Sequence, residues 1–85
     1  FGLISQIKRS VISIPSNISE GAGRNNNNEF FHFLGIANAS SFELQTQLIL
    51  TRELNLLDAE KANSLISKLY EIQRMIYTFK SNLKK

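Results

Sequence analysis

The stretch from Asn27 to Leu54, NNEFFHFLGIANASSFELQTQLILTREL, decides the fold of this 85-residue chain. It contains no proline and a single glycine, Gly35, so little in it interrupts a helix. At 1.5 Å per residue such a helix is about 40 Å long. The sequence therefore predicts one long middle helix, around which the rest of the chain must pack.

The apolar side chains of this middle helix occupy three sectors when they are placed at about 100° per residue. The first sector holds Phe30, Phe33, Leu34, Ala37, Leu44 and Leu48, the second holds Phe31, Phe42, Ile49 and Leu56, and the third holds Ile36, Leu50 and Leu54. A helix that is apolar nearly all round is normally buried, and two neighbouring helices cannot cover every side. We therefore expect a further helix or neighbouring subunits to cover the rest, with the second sector (Phe31, Phe42, Ile49 and Leu56) as the candidate interface.

Each flanking segment carries one apolar seam with spacings of three and four, as amphipathic helices do. The seams are Ile4, Ile7, Val11, Ile14 and Ile18 before the middle helix, and Ala62, Leu65, Leu69, Ile72, Ile76, Phe79 and Leu83 after it. The sequence thus predicts a single all-α domain over residues 1–85, an up-and-down antiparallel helical bundle with helices at about residues 2–22, 27–54 and 58–83.

The turns carry recognisable capping residues. Gly21-Ala22-Gly23 is expected to end the first helix through a glycine in the left-handed conformation. Asn26 followed by Glu29 predicts a capping box at the start of the middle helix. Asn55 is expected to stop that helix in the left-handed conformation, and Asp58 to cap the third.

Composition places the chain among globular proteins, because 42% of its residues are hydrophobic and 20% are charged. It has no cysteine, which excludes a disulfide framework and thiolate zinc sites. The longest uncharged run, residues 30–42, is too short to span a bilayer, so no membrane partner is expected. No secretory signal is present, and we expect a cytoplasmic protein.

The net charge of +3 is mildly basic, with positive charge at both ends of the chain and an acidic middle. Basic residues are the usual phosphate contacts in nucleic-acid-binding proteins, although ordinary solvated helix faces have a similar composition. The candidate phosphate-facing residues are Lys8, Arg9, Arg24 and Lys68.

No arrangement of residues in the chain points to catalysis. His32 is the only histidine, and none of the many serines has a positioned base. We therefore expect a protein that is not an enzyme and takes no cofactor, metal or small-molecule substrate. Polar residues beside the apolar sectors instead predict a structural hydrogen-bonded network that fixes helix register; its members are Ser13, Asn17, Glu20, Glu43 and Gln47.

Several of these residues carry a resemblance to a known family. The relevant segments are Ile14-Pro15-Ser16-Asn17-Ile18-Ser19-Glu20-Gly21, Gly23-Arg24, Glu29-Phe30, Phe33-Leu34, Ile36-Ala37, Glu43-Leu44 and Thr46-Gln47-Leu48. In this pattern the chain resembles the four-helix bundle proteins first noticed in intervening sequences of bacterial 23S ribosomal RNA genes. It departs from the family pattern mildly at Ser19, Gln45 and Asn26. Family members also carry an amphipathic helix before the segment that begins here at Phe1.

The resemblance implies that the three helices correspond to helices two to four of a four-helix bundle, which leaves an apolar groove open or filled by something else. It also implies a homopentamer. The accessory variability determinant of diversity-generating retroelements, a basic pentameric partner of a reverse transcriptase and RNA, is similar in fold. Two functions therefore stay open: an oligomeric scaffold that associates with RNA or a ribonucleoprotein, and a protein-only module that binds one partner such as a polymerase. Shared fold alone does not choose between them.

Overall fold

The chain folds into three α-helices joined by two short turns. A computed structural model describes residues 2–83, with α1 at Gly2–Ala22, α2 at Asn27–Glu53 and α3 at Ala59–Leu83. Residues 2–83 contain no strand, which confirms the all-α class and the three helices. Phe1 and residues 84–85 of the predicted domain lie outside the described residues.

α2 lies between the other two helices and contacts both of them. Arg9, near the start of α1, pairs with Glu43 in the second half of α2, whereas Gly21, at the end of α1, lies against Phe30 at the start of α2. The contacts between α2 and α3 also run in opposite order, because Phe30 stacks edge-on against Phe79 and Arg52 bonds Asn63. Within residues 2–83, no Cα atom of α1 comes within 8 Å of one in α3. The three helices therefore form a trough with α2 as its floor.

The core lies where α2 meets its two neighbours. Its buried members are Ile14, Leu34, Ala37, Leu44, Leu48, Ile66, Leu69 and Ile76. Full burial of a leucine or isoleucine side chain contributes about 1.5–3 kcal/mol, so this row is the main source of stability. The four residues of α2 in the row all come from the first sector predicted from the sequence. Small or uncharged polar side chains of α2 are also buried beside them, namely Ser40, Ser41, Gln47 and Thr51.

The ends of α2 and the start of α3 follow the capping expectations in large part. The Asn26 side chain accepts a hydrogen bond from the Glu29 amide at 3.0 Å. The other half of the predicted capping box is replaced, since the Glu29 carboxylate pairs with Arg24 instead. Asn55 takes the left-handed conformation after α2 with φ of 57°. The Asp58 carboxylate accepts a bond from the Lys61 amide at 3.3 Å at the start of α3.

The glycine cap predicted for α1 is wrong. No described glycine has positive φ, and the left-handed residue of this turn is Asn25, with φ of 54°. Gly21 is buried inside the last turn of α1, where a Cβ atom would stand 2.8 Å from the Phe33 Cβ and 3.3 Å from the Phe30 Cα. The glycine is therefore needed for the close approach of α1 to α2, and the backbone turn does not depend on it.

Candidate interaction groove

The trough between α1 and α3 holds an open cavity of about 340 Å³, which we call the apolar groove. Its floor is formed by Leu44 and Leu48 of α2, and its walls by Ile7, Val11, Leu65, Lys68, Leu69 and Ile72. Except for the Lys68 ammonium, these side chains carry no hydrogen-bonding group. Val11 and Leu65 remain 49% and 44% exposed, so the two walls present apolar surface to solvent.

The groove forms because the apolar face of each flanking helix is wider than the strip that contacts α2. This is true of the seam of α1 and of the seam of α3. In α3, for example, Leu69 is 3% exposed and buried in the core, whereas Leu65, one turn earlier, is 44% exposed in the groove. Since α1 and α3 do not meet, the outer half of each seam stays uncovered, and the two uncovered halves face each other.

The outer side of α2 carries those members of the second and third sectors that lie within the helix, whereas Leu54 and Leu56 lie in the turn that follows it. Phe42 is 51% exposed and Leu56 is 66% exposed, whereas Ile49 is half-buried against the core. Phe31 is half-buried, with the Lys80 ammonium 4.7 Å from the centre of its ring. The third-sector residues Ile36, Leu50 and Leu54 are exposed as well. The four predicted interface residues are thus unequal, and Phe42 and Leu56 offer the most surface to a partner.

Three members of the predicted polar network lie at the contact between α1 and α2. The Ser13 hydroxyl lies 2.7 Å from the Ser40 hydroxyl across the two helices. The Asn17 amide donates to the Ser13 carbonyl at 2.8 Å and to its hydroxyl at 3.0 Å. Gln47 is buried on the same side of α2, and its Oε1 accepts no hydrogen bond from residues 2–83.

The two acidic members do not join that cluster. Glu20 bonds Arg24 at 2.6 Å and Glu43 bonds Arg9 at 3.2 Å, and all four side chains are about half exposed. The expected single buried network is therefore wrong for Glu20 and Glu43, because each carboxylate reaches solvent and takes an arginine as its partner. Exposed pairs of this kind contribute only about 0–1 kcal/mol each.

The four candidate phosphate-facing residues differ in whether a carboxylate of the same chain pairs with them. Arg9 is engaged by Glu43, and Arg24 is engaged by both Glu20 and Glu29, with its guanidinium 5.0 Å from the centre of the Phe33 ring. Lys8 and Lys68 form no ion pair with residues 2–83, and both side chains are exposed. The structure therefore leaves two of the four charges without a carboxylate, and of these two Lys68 lines the apolar groove.

The sequence analysis missed several residues that contact one another at the helix interfaces. Ser40 completes the cluster of Ser13 and Asn17, and its position seven residues before Gln47 is the signal that places it on the same face. Between α2 and α3, the Gln73 amide donates to the Gln45 side chain at 3.0 Å. Nothing in the spacing of the two glutamines alone predicts that contact.

The described residues show no clustered metal ligands and no membrane span. Across residues 2–83, no three histidine, aspartate or glutamate side chains are grouped so that they could hold a metal ion. His32 packs edge-on against Phe33, with ring centres 5.4 Å apart. None of the three helices combines the length and the apolar character needed to cross a bilayer.

Comparison with known proteins agrees with the resemblance seen in the residues. The family model described as 23S rRNA-intervening sequence protein matches residues 1–78. The chain belongs to the 23S rRNA-intervening sequence protein family. A search among curated proteins gives no match. In this family member the matched residues include all of α1 and α2 and most of α3, so the apolar groove is formed wholly by matched residues.

Proposed function

We propose that this family member is a non-enzymatic scaffold of the up-and-down bundle type, which assembles with further helices through the apolar groove. The observation that carries the proposal is the groove itself, with two exposed apolar walls and an apolar floor. A helix placed between α1 and α3 would close the trough into a four-helix bundle.

The energetic reason is the exposed apolar surface on both walls. Val11 and Leu65 are each about half exposed, and Ile4 of the same α1 seam is 57% exposed. Burial of apolar surface yields roughly 25 cal/mol per Å², so covering these side chains favours association by several kcal/mol before the entropy of association is subtracted. The outer side of α2, with Phe42 and Leu50, supports contact with neighbouring subunits on the opposite side of the trough.

The charges favour assembly with protein over a general RNA-binding surface. Two of the four candidate basic residues, Arg9 and Arg24, are engaged by carboxylates of the same chain. A phosphate backbone would have to displace those carboxylates to reach the arginines. The apolar groove has no such competitor.

Light scattering of the purified chain over a concentration series tests the proposal. We expect a mass above the 9.6 kDa of one chain, and a lower mass for Val11→Asp, which places a charge on the groove wall. Ile12→Asp is the matched control, because Ile12 is 64% exposed on α1 and does not line the groove. If the wild-type chain and both variants have the mass of one chain at every concentration, the proposal fails.

A further inference from the structure

A second surface formed by α2 and α3 shares no lining residue with the apolar groove. On α3, aromatic rings alternate with cations at spacings of three and four, and α2 contributes one aromatic ring near each end. We call this surface the aromatic strip, and its members are Phe31, Phe42, Tyr70, Arg74, Tyr77 and Lys80. At 1.5 Å per residue, the four positions on α3 extend over about 15 Å.

The tyrosine rings of the strip are open to solvent. Tyr70 is 50% exposed and Tyr77 is 70% exposed, and together with Arg74 they line an open cleft of about 370 Å³. The Gln45 amide of α2 lies 3.5 Å from the Tyr70 hydroxyl, and Gln45 in turn accepts a hydrogen bond from Gln73 at 3.0 Å. These contacts hold the Tyr70 side chain at the junction of the two helices.

The cations of the strip are available to an anion. Arg74 and Lys80 form no ion pair with any carboxylate of residues 2–83. The Lys80 ammonium lies 4.7 Å from the centre of the Phe31 ring. The two stretches of helix that frame the strip, residues 30–42 of α2 and 72–83 of α3, contain no aspartate or glutamate. The middle of the strip is therefore positive.

Acidic residues lie only near the ends of the strip. Glu29 and Glu43 are each paired with an arginine of the same chain. Glu71 lies one turn before Arg74 and lines a neighbouring cleft with it, but the two side chains form no ion pair. Because Glu71 lowers the positive charge at the Tyr70 end, the half of the strip that runs from Arg74 to Lys80 is the more positive one.

Alternating rings and cations match the two chemical parts of a single-stranded nucleic acid. Bases stack on aromatic side chains with little dependence on sequence, and phosphates pair with arginine and lysine. In a duplex the bases are stacked on one another, so they do not reach such rings. An apolar protein surface packed on the strip would bury Arg74 and Lys80 without a partner charge, which is unfavourable.

We propose that the aromatic strip binds a single-stranded nucleic acid, whose bases stack on Tyr70, Tyr77 and Phe42 and whose phosphates contact Arg74 and Lys80. The inference goes beyond the proposed function and does not depend on it, because the strip and the apolar groove are built from different residues. Stacking supplies a contact that does not depend on base identity, and the cations orient the backbone along α3.

Fluorescence anisotropy of the full chain with labelled oligomers of about 12 nucleotides tests the chemistry of the ligand. The probes are oligouridine RNA, oligothymidine DNA, a duplex of the same length, and an abasic oligomer that keeps the phosphates and lacks the bases. We expect the single strands to bind at least about tenfold more tightly than the duplex and the abasic oligomer, since only they offer free bases. The tighter of the two single strands identifies ribose or deoxyribose as the sugar of the ligand.

Variants of the strip supply the second arm. Tyr77→Ala should weaken single-strand binding about tenfold, whereas Tyr77→Phe should retain it because the ring remains. Arg74→Gln should lower the slope of log affinity against log salt concentration by about 0.7, the loss of one phosphate contact. Met75→Ala is the matched control, since Met75 is 63% exposed on α3 and does not line the strip. Circular dichroism of each variant checks that the helices are retained.

The possible failures are distinguishable. Absence of binding by every oligomer overturns the inference, and so does equal affinity for the single strands, the duplex and the abasic oligomer. Unchanged single-strand binding by Tyr77→Ala also overturns it. A lower mass of Tyr77→Ala in light scattering, without oligomer binding by the wild-type chain, overturns it in favour of an interface between copies of the chain. None of these outcomes bears on the apolar groove, which Val11→Asp tests separately.

Discussion

Replacement of Gly21 by alanine should destabilise the fold, although the same change elsewhere in a helix normally stabilises it. Alanine is favoured over glycine inside a helix by about 1 kcal/mol. At Gly21 the added Cβ would stand 2.8 Å from the Phe33 Cβ, 2.9 Å from the Phe30 Cδ1 and 3.3 Å from the Phe30 Cα. Two of these three atoms are fixed to the backbone of α2, so rotation of a side chain cannot relieve the overlap.

The size of the effect follows from the two opposing terms. Overpacking of a close contact costs about 1–3 kcal/mol, and the involvement of backbone-attached atoms places Gly21→Ala in the upper half of that range. After the helix-propensity gain of about 1 kcal/mol is subtracted, the net loss is roughly 1–2 kcal/mol. For a domain of this size, each kcal/mol lowers the melting temperature by about 4–8 °C.

Gly35→Ala is the matched control. Gly35 lies inside α2, and an added Cβ would meet only the Lys80 ammonium, at 3.6 Å. Lys80 is long and flexible, so Gly35→Ala should stabilise the fold by about 0.5–1 kcal/mol. Urea unfolding followed by far-ultraviolet circular dichroism measures both variants. If Gly21→Ala proves as stabilising as Gly35→Ala, the reasoning that Gly21 permits the close approach of α1 to α2 is refuted.

Three further predictions concern single positions, and urea unfolding measures each of them. Leu69→Ala should lower the free energy of unfolding by about 2–5 kcal/mol, because Leu69 is 3% exposed. Leu65→Ala, in the 44% exposed groove wall, should lower it by less than half as much. Equal losses would contradict the placement of Leu65 at the open groove. Asn26→Ala should cost about 1 kcal/mol through loss of the cap on α2, and Asn26→Asp should retain most of that stability; an Asp variant as unstable as the Ala variant would argue against the cap. Asn55→Ala should cost about 1 kcal/mol and Asn55→Gly should not destabilise, since Asn55 has φ of 57°; the opposite order would rule out the left-handed conformation.

The family resemblance and the apolar groove point to the same helical architecture. The resemblance implies a bundle with one more helix than the three described here. Independently, the exposure of Val11 and Leu65 shows that the walls of the trough are apolar and not covered by other side chains of the chain. Family membership by itself assigns no molecular role to the groove.

Periodicity in the sequence was sufficient to locate the helices and the main buried face of α2. Leu34, Ala37, Leu44 and Leu48 belong to the predicted first sector, and all four are buried. The caps at Asn26, Asn55 and Asp58 were also predictable, because capping depends on the side chain and backbone of a few adjacent residues.

Contacts between distant parts of the chain were less predictable. Ser40 and Thr51 are buried beside the apolar row of α2, although a hydropathy pattern assigns such side chains to the surface. Glu43 was expected in a buried network, yet its carboxylate reaches solvent and pairs with Arg9. These outcomes depend on how closely two helices approach, and hydropathy along one helix carries no information on that distance.

The sequence by itself determined which residues form helices, where the turns lie and that the chain has more apolar surface than three helices can cover, because these properties depend on side chains that are neighbours along the chain. Only the tertiary structure decided where the uncovered surface lies. By holding α1 and α3 against α2 but apart from each other, packing gathers the outer halves of two seams into one groove. The close contact at Gly21 was also decided only by the tertiary structure. The sequence alone does not distinguish a glycine that suits a turn from a glycine that lets two helices approach.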